Sequence, residues 1–159
     1  MVILASSPLT APELGSDQNM AKKPFYHRHK LRFECTGCGI CCTGSPQDYV
    51  AVDRAEQEQI RNWLGISKKW FRHRYILRVD QHTEGLASAK SGSCVFLDQA
   101  MRCRIYPVRP RQCRAYPFWP EVLRNRWSWR AEALRCEGIG RGALVPLRRI
   151  ESALKATRR

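Results

Sequence analysis

Eight cysteines in a chain of 159 residues constrain the fold more than any other feature of this sequence. A single domain of this length buries roughly two-thirds of its unfolded surface, so it does not need cross-links merely to fold. The cysteines therefore indicate a chemical role. An even cysteine count predicts disulfides in a secreted protein, but metal or redox chemistry in a cytosolic one. The short apolar start of the chain has no basic region ahead of it, unlike a secretory signal, so we expect a cytoplasmic protein that binds metal.

The first four cysteines form the run Cys35-x2-Cys38-x2-Cys41-Cys42. A Cys-x2-Cys turn places two sulfurs on one side of a loop, as in zinc knuckles and iron–sulfur loops. Four more cysteines follow, and eight thiols make two complete sets of four, the number that a structural zinc ion or a cubane cluster requires. The candidate metal ligands are Cys35, Cys38, Cys41, Cys42, Cys94, Cys103, Cys113 and Cys136.

The choice of metal stays open at this point. Thiolates select zinc, copper(I) or iron–sulfur clusters over calcium and magnesium. The run matches only the first three positions of the bacterial ferredoxin pattern, because Cys42 directly follows Cys41 and no proline follows a cysteine. Zinc and iron, the latter also as a [4Fe-4S] cluster, are both compatible with the spacing, in one site or two. His27 and His29 precede the run, but a His-x-His among basic residues is more typical of a solvated segment than of ligands.

Composition divides the chain into a tail and a domain. Residues 1–19 contain two acidic residues and no Lys or Arg, and they are rich in Ser, Pro and Ala, which predicts a disordered tail. Met20 fits a translation start, which would make this tail an artefact of the assigned start. We place the metal-binding domain at residues 20–159. No run approaches the ~20 apolar residues of a membrane-spanning helix, so we expect no membrane partner.

Local patterns predict short helices and a hairpin. Asp53 and Glu56 form a capping-box pattern that opens a helix, Gly65 ends it, and Ser67 opens a second helix. Residues 93–97 and 102–106 predict the two strands of a hairpin.

The second half of the chain is interrupted by prolines, and only about one helical turn, carrying Cys113, fits between two of them. Residues 145–156 predict a closing helix with Leu147, Ile150 and Leu154 facing inward. The expected fold class is α+β: one small domain of short helices and a small antiparallel sheet or hairpin, organised around Cys-ligated metal.

Three further strings extend the cysteine pattern: Cys94-x-Phe96-Leu97, then Cys103-x-Ile105-Tyr106-x2-Arg109-Pro110-x2-Cys113-Arg114-x-Tyr116-Pro117, then Cys136-x-Gly138-Ile139-Gly140-x-Gly142. With the first run, this pattern resembles the CxxCxxCC family of YkgJ-type cysteine-cluster proteins, over about residues 33–142. The resemblance implies a zinc- or iron-chelating domain whose biochemical role is open.

The same cysteine cluster resembles that of the flagellin lysine methylases, which implies a methyl-transfer or redox enzyme as an alternative. The Gly-rich segment at residues 138–142 follows Cys136 and does not open a βαβ unit, so it does not predict a nucleotide-binding turn. No catalytic constellation is identifiable from spacing, which favours a binding protein over an enzyme.

The chain is strongly basic, with 28 Lys plus Arg, 14 Asp plus Glu and a net charge of +14. Twelve arginines fall between Arg102 and Arg149 beside only three acidic residues. Arginines interleaved with aromatics such as Trp119, Trp127 and Trp129 suit nucleic acid, so a nucleic-acid- or ribosome-associated module with a structural metal is a second candidate function. Alternatively, arginines near a thiolate cluster offset its negative charge.

Arg109 and Arg114 flank Cys113 within the family string. We predict that at least one of these guanidinium groups hydrogen-bonds a coordinated sulfur or a nearby carbonyl, and so supports the metal ligands from outside.

Overall fold

The structure is a computed structural model, and it describes residues 23–157. The predicted tail at residues 1–19 lies outside the described residues. Within residues 23–157 the chain forms six α-helices and five short strands. In chain order these are α1 Phe25–Arg28, β1 Arg32–Phe33, β2 Val50–Ala51, α2 Arg54–Leu64, α3 Lys68–Tyr75, β3 Ile76–Arg78, β4 Glu84–Leu86, α4 Arg111–Ala115, α5 Arg126–Ala133, β5 Ile139–Leu144 and α6 Leu147–Thr157.

The strands form two small antiparallel sheets. β1 pairs with β5, and β4 lies between β2 and β3. Leu86 of β4 is the central position, since it is paired with Val50 on one side and Ile76 on the other. The predicted α+β class is confirmed. None of the described helices is long and apolar enough to cross a bilayer.

The predicted start and end of α2 and the predicted start of α3 are confirmed. The Asp53 carboxylate accepts a hydrogen bond from the Glu56 amide, and the Glu56 carboxylate accepts one from the Asp53 amide, which completes the capping box. Gly65 ends α2 at a φ of 65°, a left-handed conformation that glycine adopts without strain. The Ser67 hydroxyl accepts a hydrogen bond from the Trp70 amide and opens α3.

The predicted hairpin is present only as a tight turn. One bridge joins Leu97 to Cys103, and backbone hydrogen bonds link Asp98 to Arg102 and Phe96 to Arg104. Neither side extends into a strand. The turn is tightened by the Asp98 carboxylate, which accepts a hydrogen bond from the Arg102 amide at 2.8 Å. As a result, two cysteines lie near the base of one turn.

Two apolar clusters make up the core. The first packs α6 and α5 against residues near β1, and includes Phe118, Trp129 and Ile150. The second packs α2 and α3 against β4 and the turn, and includes Ile60, Phe71 and Phe96. We refer to them as the α5–α6 cluster and the α2–α3 cluster.

Two sequence predictions about side-chain burial are wrong in part. Ile150 and Leu154 are buried as predicted, but Leu147 is 39% exposed because it lies at the first position of α6, beyond the edge of the cluster.

The second prediction concerns the tryptophans: Trp129 is buried, stacked against Phe118 with ring centroids 5.9 Å apart. The Trp119 indole is half-buried and donates to a backbone carbonyl. Of the three tryptophans expected to face a nucleic acid, only Trp127 is exposed.

Candidate metal centre

All eight cysteines line one cavity of about 290 Å³. The cavity lies between the two apolar clusters, since Phe33 borders it on the α5–α6 side and Leu86 and Ile105 border it on the α2–α3 side. Cysteines from five separate segments of the chain therefore meet at one place. Cys136 is buried, Cys35 and Cys41 are exposed, and the other five are half-buried.

Backbone contacts hold the first cysteine run against the turn at residues 97–103. Gly39 has a φ of 74° and leads into a 3-10 turn at Ile40–Cys42. A Cβ at Gly39 would lie 2.1 Å from the Met101 carbonyl oxygen, so the close approach of these two loops requires glycine. The Cys94 amide donates to the Cys42 carbonyl at 2.7 Å. These contacts bring together cysteines that are far apart in sequence.

Four sulfurs form a compact group that we call the four-thiol set: Cys41, Cys42, Cys94 and Cys103. The Cys42 thiol lies within hydrogen-bonding reach of the other three. Hydrogen bonding to those neighbours raises the pKa of Cys42 far above its usual value. The same bonds stabilise the partner thiolates, lowering the pKa of Cys41 to about 7 and that of Cys103 to about 6.

Backbone amides also point at this set. The hydrogen bond from the Cys42 thiol has the largest effect in lowering the pKa of Cys94 and of Cys103. A backbone amide adds to it in each case: that of Phe96 for Cys94 and that of Ile105 for Cys103. Each amide lies two residues after its cysteine, the arrangement expected of a loop that presents a thiolate to a metal.

Cys113 lies beside the four-thiol set. Burial raises the pKa of its thiol, and the nearby Cys94 and Cys41 sulfurs raise it further. One turn of α4 carries Cys113, as the sequence predicted between two prolines.

Arg109 lines the cavity and its positive charge acts on these sulfurs. Its positive charge lowers the pKa of Cys41 and Cys103, after the larger effect of the Cys42 thiol. The guanidinium carbon lies 3.5 Å above the centre of the Tyr106 ring. The Arg109 Nε is buried and has no hydrogen-bond partner within residues 23–157. Arg114 lines the same cavity and donates a hydrogen bond to the Arg109 carbonyl.

Two tyrosines also face cysteines, and the sequence analysis did not identify them as site residues. The Tyr106 hydroxyl is hydrogen-bonded to Cys35, which raises the pKa of that phenol. Tyr116 is buried, hydrogen-bonds Cys136, and donates to a Glu132 carboxylate oxygen at 2.6 Å; burial raises its pKa. Each tyrosine follows a cysteine by three residues in the sequence, Tyr106 after Cys103 and Tyr116 after Cys113. That spacing is the feature from which they could have been predicted as site residues.

The donor atoms do not yet surround a metal position. Within residues 23–157, no group of three or more His, Cys, Asp or Glu side chains is placed as it would be around a bound ion. His27 lies 3.6 Å from Glu151, and neither it nor His29 lines the cavity.

The CxxCxxCC family, described as "Putative zinc- or iron-chelating domain", matches residues 34–137. This chain belongs to that family. The matched range contains all eight cysteines that line the cavity. Chelation of zinc or iron is the function that this membership supports.

One curated relative is "Uncharacterized protein MJ0661" from Methanocaldococcus jannaschii. It is 30% identical over 97 residues, which make up 60% of this chain and 50% of the relative. The chain therefore spans about half the length of that relative. No solved structure matches.

Proposed function

We propose that the four-thiol set binds one zinc ion through four thiolates. The observations that carry this proposal are that the four cysteines line one cavity and that the Cys42 thiol lies within hydrogen-bonding reach of the other three. A tetrahedral zinc ion about 2.3 Å from each ligand separates its sulfurs by ~3.8 Å, close to the distance between two thiols in contact. A cubane cluster instead binds each cysteine to a different iron, which requires more widely separated sulfurs.

Metal binding requires four thiolates arranged around the ion. The side chains of the set therefore rearrange to face the ion, and the Cys42 thiol loses its proton, because only the thiolate is a metal ligand. Before metal binds, the hydrogen bond from the Cys42 thiol lowers the pKa of Cys41 to about 7 and that of Cys103 to about 6. In the complex, the charge of the zinc ion would stabilise these thiolates instead. Metal uptake therefore releases protons, chiefly from Cys42.

The surroundings of the set support an anionic metal centre. Four thiolates and one Zn²⁺ carry a net charge of −2, and Arg109 supplies a neighbouring positive charge. Among the described residues the buried Arg109 Nε has no acceptor, and a coordinated sulfur would accept its hydrogen bond. We propose Arg109 as the residue that hydrogen-bonds the metal-bound sulfur, with Arg114 holding the Arg109 backbone in place through its carbonyl.

Four cysteines remain outside the four-thiol set: Cys35, Cys38, Cys113 and Cys136. They line the same cavity and make a second complete set of four donors. If metal analysis finds two ions per chain, we assign the second ion to these four cysteines. If it finds one ion, these cysteines line the cavity without binding metal.

Metal analysis of two serine variants tests the ligand set. Protein purified anaerobically is analysed for zinc, iron and acid-labile sulfide per chain. We expect zinc without sulfide, loss of one ion in Cys42→Ser, and retention of that ion in Cys38→Ser, which changes a half-buried cysteine of the same loop. Equal metal content in wild type and Cys42→Ser would contradict the ligand set. Iron with stoichiometric acid-labile sulfide would show that the protein binds an iron–sulfur cluster and not zinc.

The structure offers no comparable support for the methyl-transfer alternative. Residues 139–142 of the Gly-rich segment lie in β5, which pairs with β1, and not at the start of a helix where a phosphate group would bind.

A further inference from the structure

The outward face of α5 carries the two most exposed large apolar side chains of the described residues. Trp127 is 76% exposed, and Leu134, at the end of the helix, is 90% exposed. They are seven residues apart, so they lie on the same face of the helix. Trp129, on the opposite face, is buried in the α5–α6 cluster. Within residues 23–157, no part of the chain therefore covers the exposed side chains of Trp127 and Leu134.

Arginines surround this exposed pair. The Arg130 guanidinium carbon lies 5.6 Å from the centre of the Trp127 ring, one turn along the same face. Arg124 and Arg126 precede Trp127 and are both exposed. Within residues 23–157, none of these three arginines lies within ion-pair distance of a carboxylate.

The one acidic residue of α5 is turned away from this face. Glu132 accepts a hydrogen bond from Tyr116 on the inner side of the helix and lies 4.0 Å from Arg135. The outward face therefore presents an aromatic ring between unpaired cations. We call this surface the α5 outer face: it comprises Arg126, Trp127 and Arg130 of α5, Leu134 at its C-terminal end, and Arg124 just before its start.

We propose that the α5 outer face binds single-stranded nucleic acid. An exposed indole stacks on an unpaired base, and the neighbouring guanidinium groups bind the flanking phosphates. Base stacking requires an unpaired base, so the face discriminates against duplexes, whose bases are already stacked. The net charge of +14 attracts a polyanion to the molecule, and Trp127 determines where it docks.

A lipid surface fits the same residues less well. Helices that lie in a membrane interface bury a continuous apolar face along their length. Here the larger apolar face of α5 is already packed against the protein core, which leaves one indole and one leucine side chain. The proposal is independent of the metal centre, so either can fail without the other.

Fluorescence anisotropy with a short labelled single-stranded oligonucleotide tests the proposal on the full chain. We expect Trp127→Ala to weaken binding about tenfold, the effect of losing one stacked base. Trp70→Ala is the matched control, since Trp70 is a 54% exposed tryptophan next to two lysines, and it should bind like wild type. Circular dichroism confirms that both variants are folded.

Salt dependence separates stacking from general attraction to a polyanion. Between about 50 mM and about 200 mM salt, wild-type affinity should fall steeply, and Arg126→Gln and Arg130→Gln should each make the slope shallower by about 0.7. The proposal is overturned if Trp127→Ala binds as wild type does, if Trp70→Ala loses as much, or if duplex or heparin binds as tightly as the single strand. It is also overturned if the wild type binds anionic vesicles but no oligonucleotide.

Discussion

At the residue scale, Cys42 occupies the central position among the cysteines. Its sulfur contacts those of Cys41, Cys94 and Cys103, while its carbonyl accepts the Cys94 amide. Cys41 and Cys42 are the last two residues of the 3-10 turn that follows Gly39. Sequence spacing predicted the eight candidates. It did not predict which four group together, because that depends on long-range contacts such as the one between Gly39 and Met101.

A second residue-scale feature is the carboxylate of Glu84. It accepts hydrogen bonds from Arg72 at 2.5 Å and from Gln57 at 2.8 Å. These contacts, led by that with Arg72, lower its pKa to about 2. The pKa in the folded state lies below the ordinary ~4.3, so the contribution to stability is complete above about pH 4.3 and is lost as pH falls through the folded value.

Urea unfolding of Glu84→Gln tests this contribution. At pH 7 we expect the variant to be less stable than wild type by about 1 kcal/mol, since the Arg72 side chain is partly exposed and the ion pair is screened. The difference should shrink as pH falls from about 4 toward about 2. Glu58→Gln, which removes an exposed pair within α2, is the control and should change little. A difference that stays constant with pH would contradict the assigned role of the Glu84 charge.

At the element scale, the α2–α3 cluster is in contact with two cysteines of the proposed metal site. Cys94 and Cys103 pack against this cluster, and Phe96, between them in sequence, is completely buried in it. The α5–α6 cluster contains no cysteine of the four-thiol set. A metal ion bound by the set therefore stabilises α2, α3 and the turn at residues 97–103 more directly than α6.

Hydrogen exchange with and without metal tests this difference between elements. Removing the metal with a chelator under reducing conditions should speed amide exchange in α2 and in residues 94–105, with a smaller effect in α6. At a free metal concentration one hundred times Kd, binding stabilises the folded state by about 2.7 kcal/mol, which corresponds to about a hundredfold slower exchange for fully coupled amides. A uniform change across all helices, or none in α2, would contradict the assignment.

The helix ends could be predicted from sequence because their signals are local. The Asp53–Glu56 capping box, Gly65 and Ser67 act within a few residues of the chain. The hairpin prediction failed because strand extension depends on neighbouring strands, and residues 93–106 instead fold against the first cysteine run. The orientation of Trp127 and Trp129 depends on which face of α5 meets the core.

At the scale of the whole molecule, the two apolar clusters meet around the cysteine cavity. Local helix and turn patterns predicted a small α+β fold, and the cysteine pattern predicted the candidate metal ligands. Family membership supports chelation of zinc or iron. The sequence did not distinguish one ion from a cluster. The compact packing of four sulfurs supports a single ion, with Arg109 offsetting its negative charge. On the proposed function, Arg109 accounts for a small part of the basic excess, and we expect the α5 outer face to account for another part.

X-ray absorption at the metal edge, on protein purified anaerobically, tests the central claim most directly. We predict zinc with four sulfur neighbours at about 2.3 Å, and loss of this signal in Cys42→Ser. Nitrogen or oxygen ligands in place of sulfur, an iron spectrum with short iron–iron distances, or an unchanged signal in Cys42→Ser would contradict a four-thiolate zinc centre at Cys41, Cys42, Cys94 and Cys103.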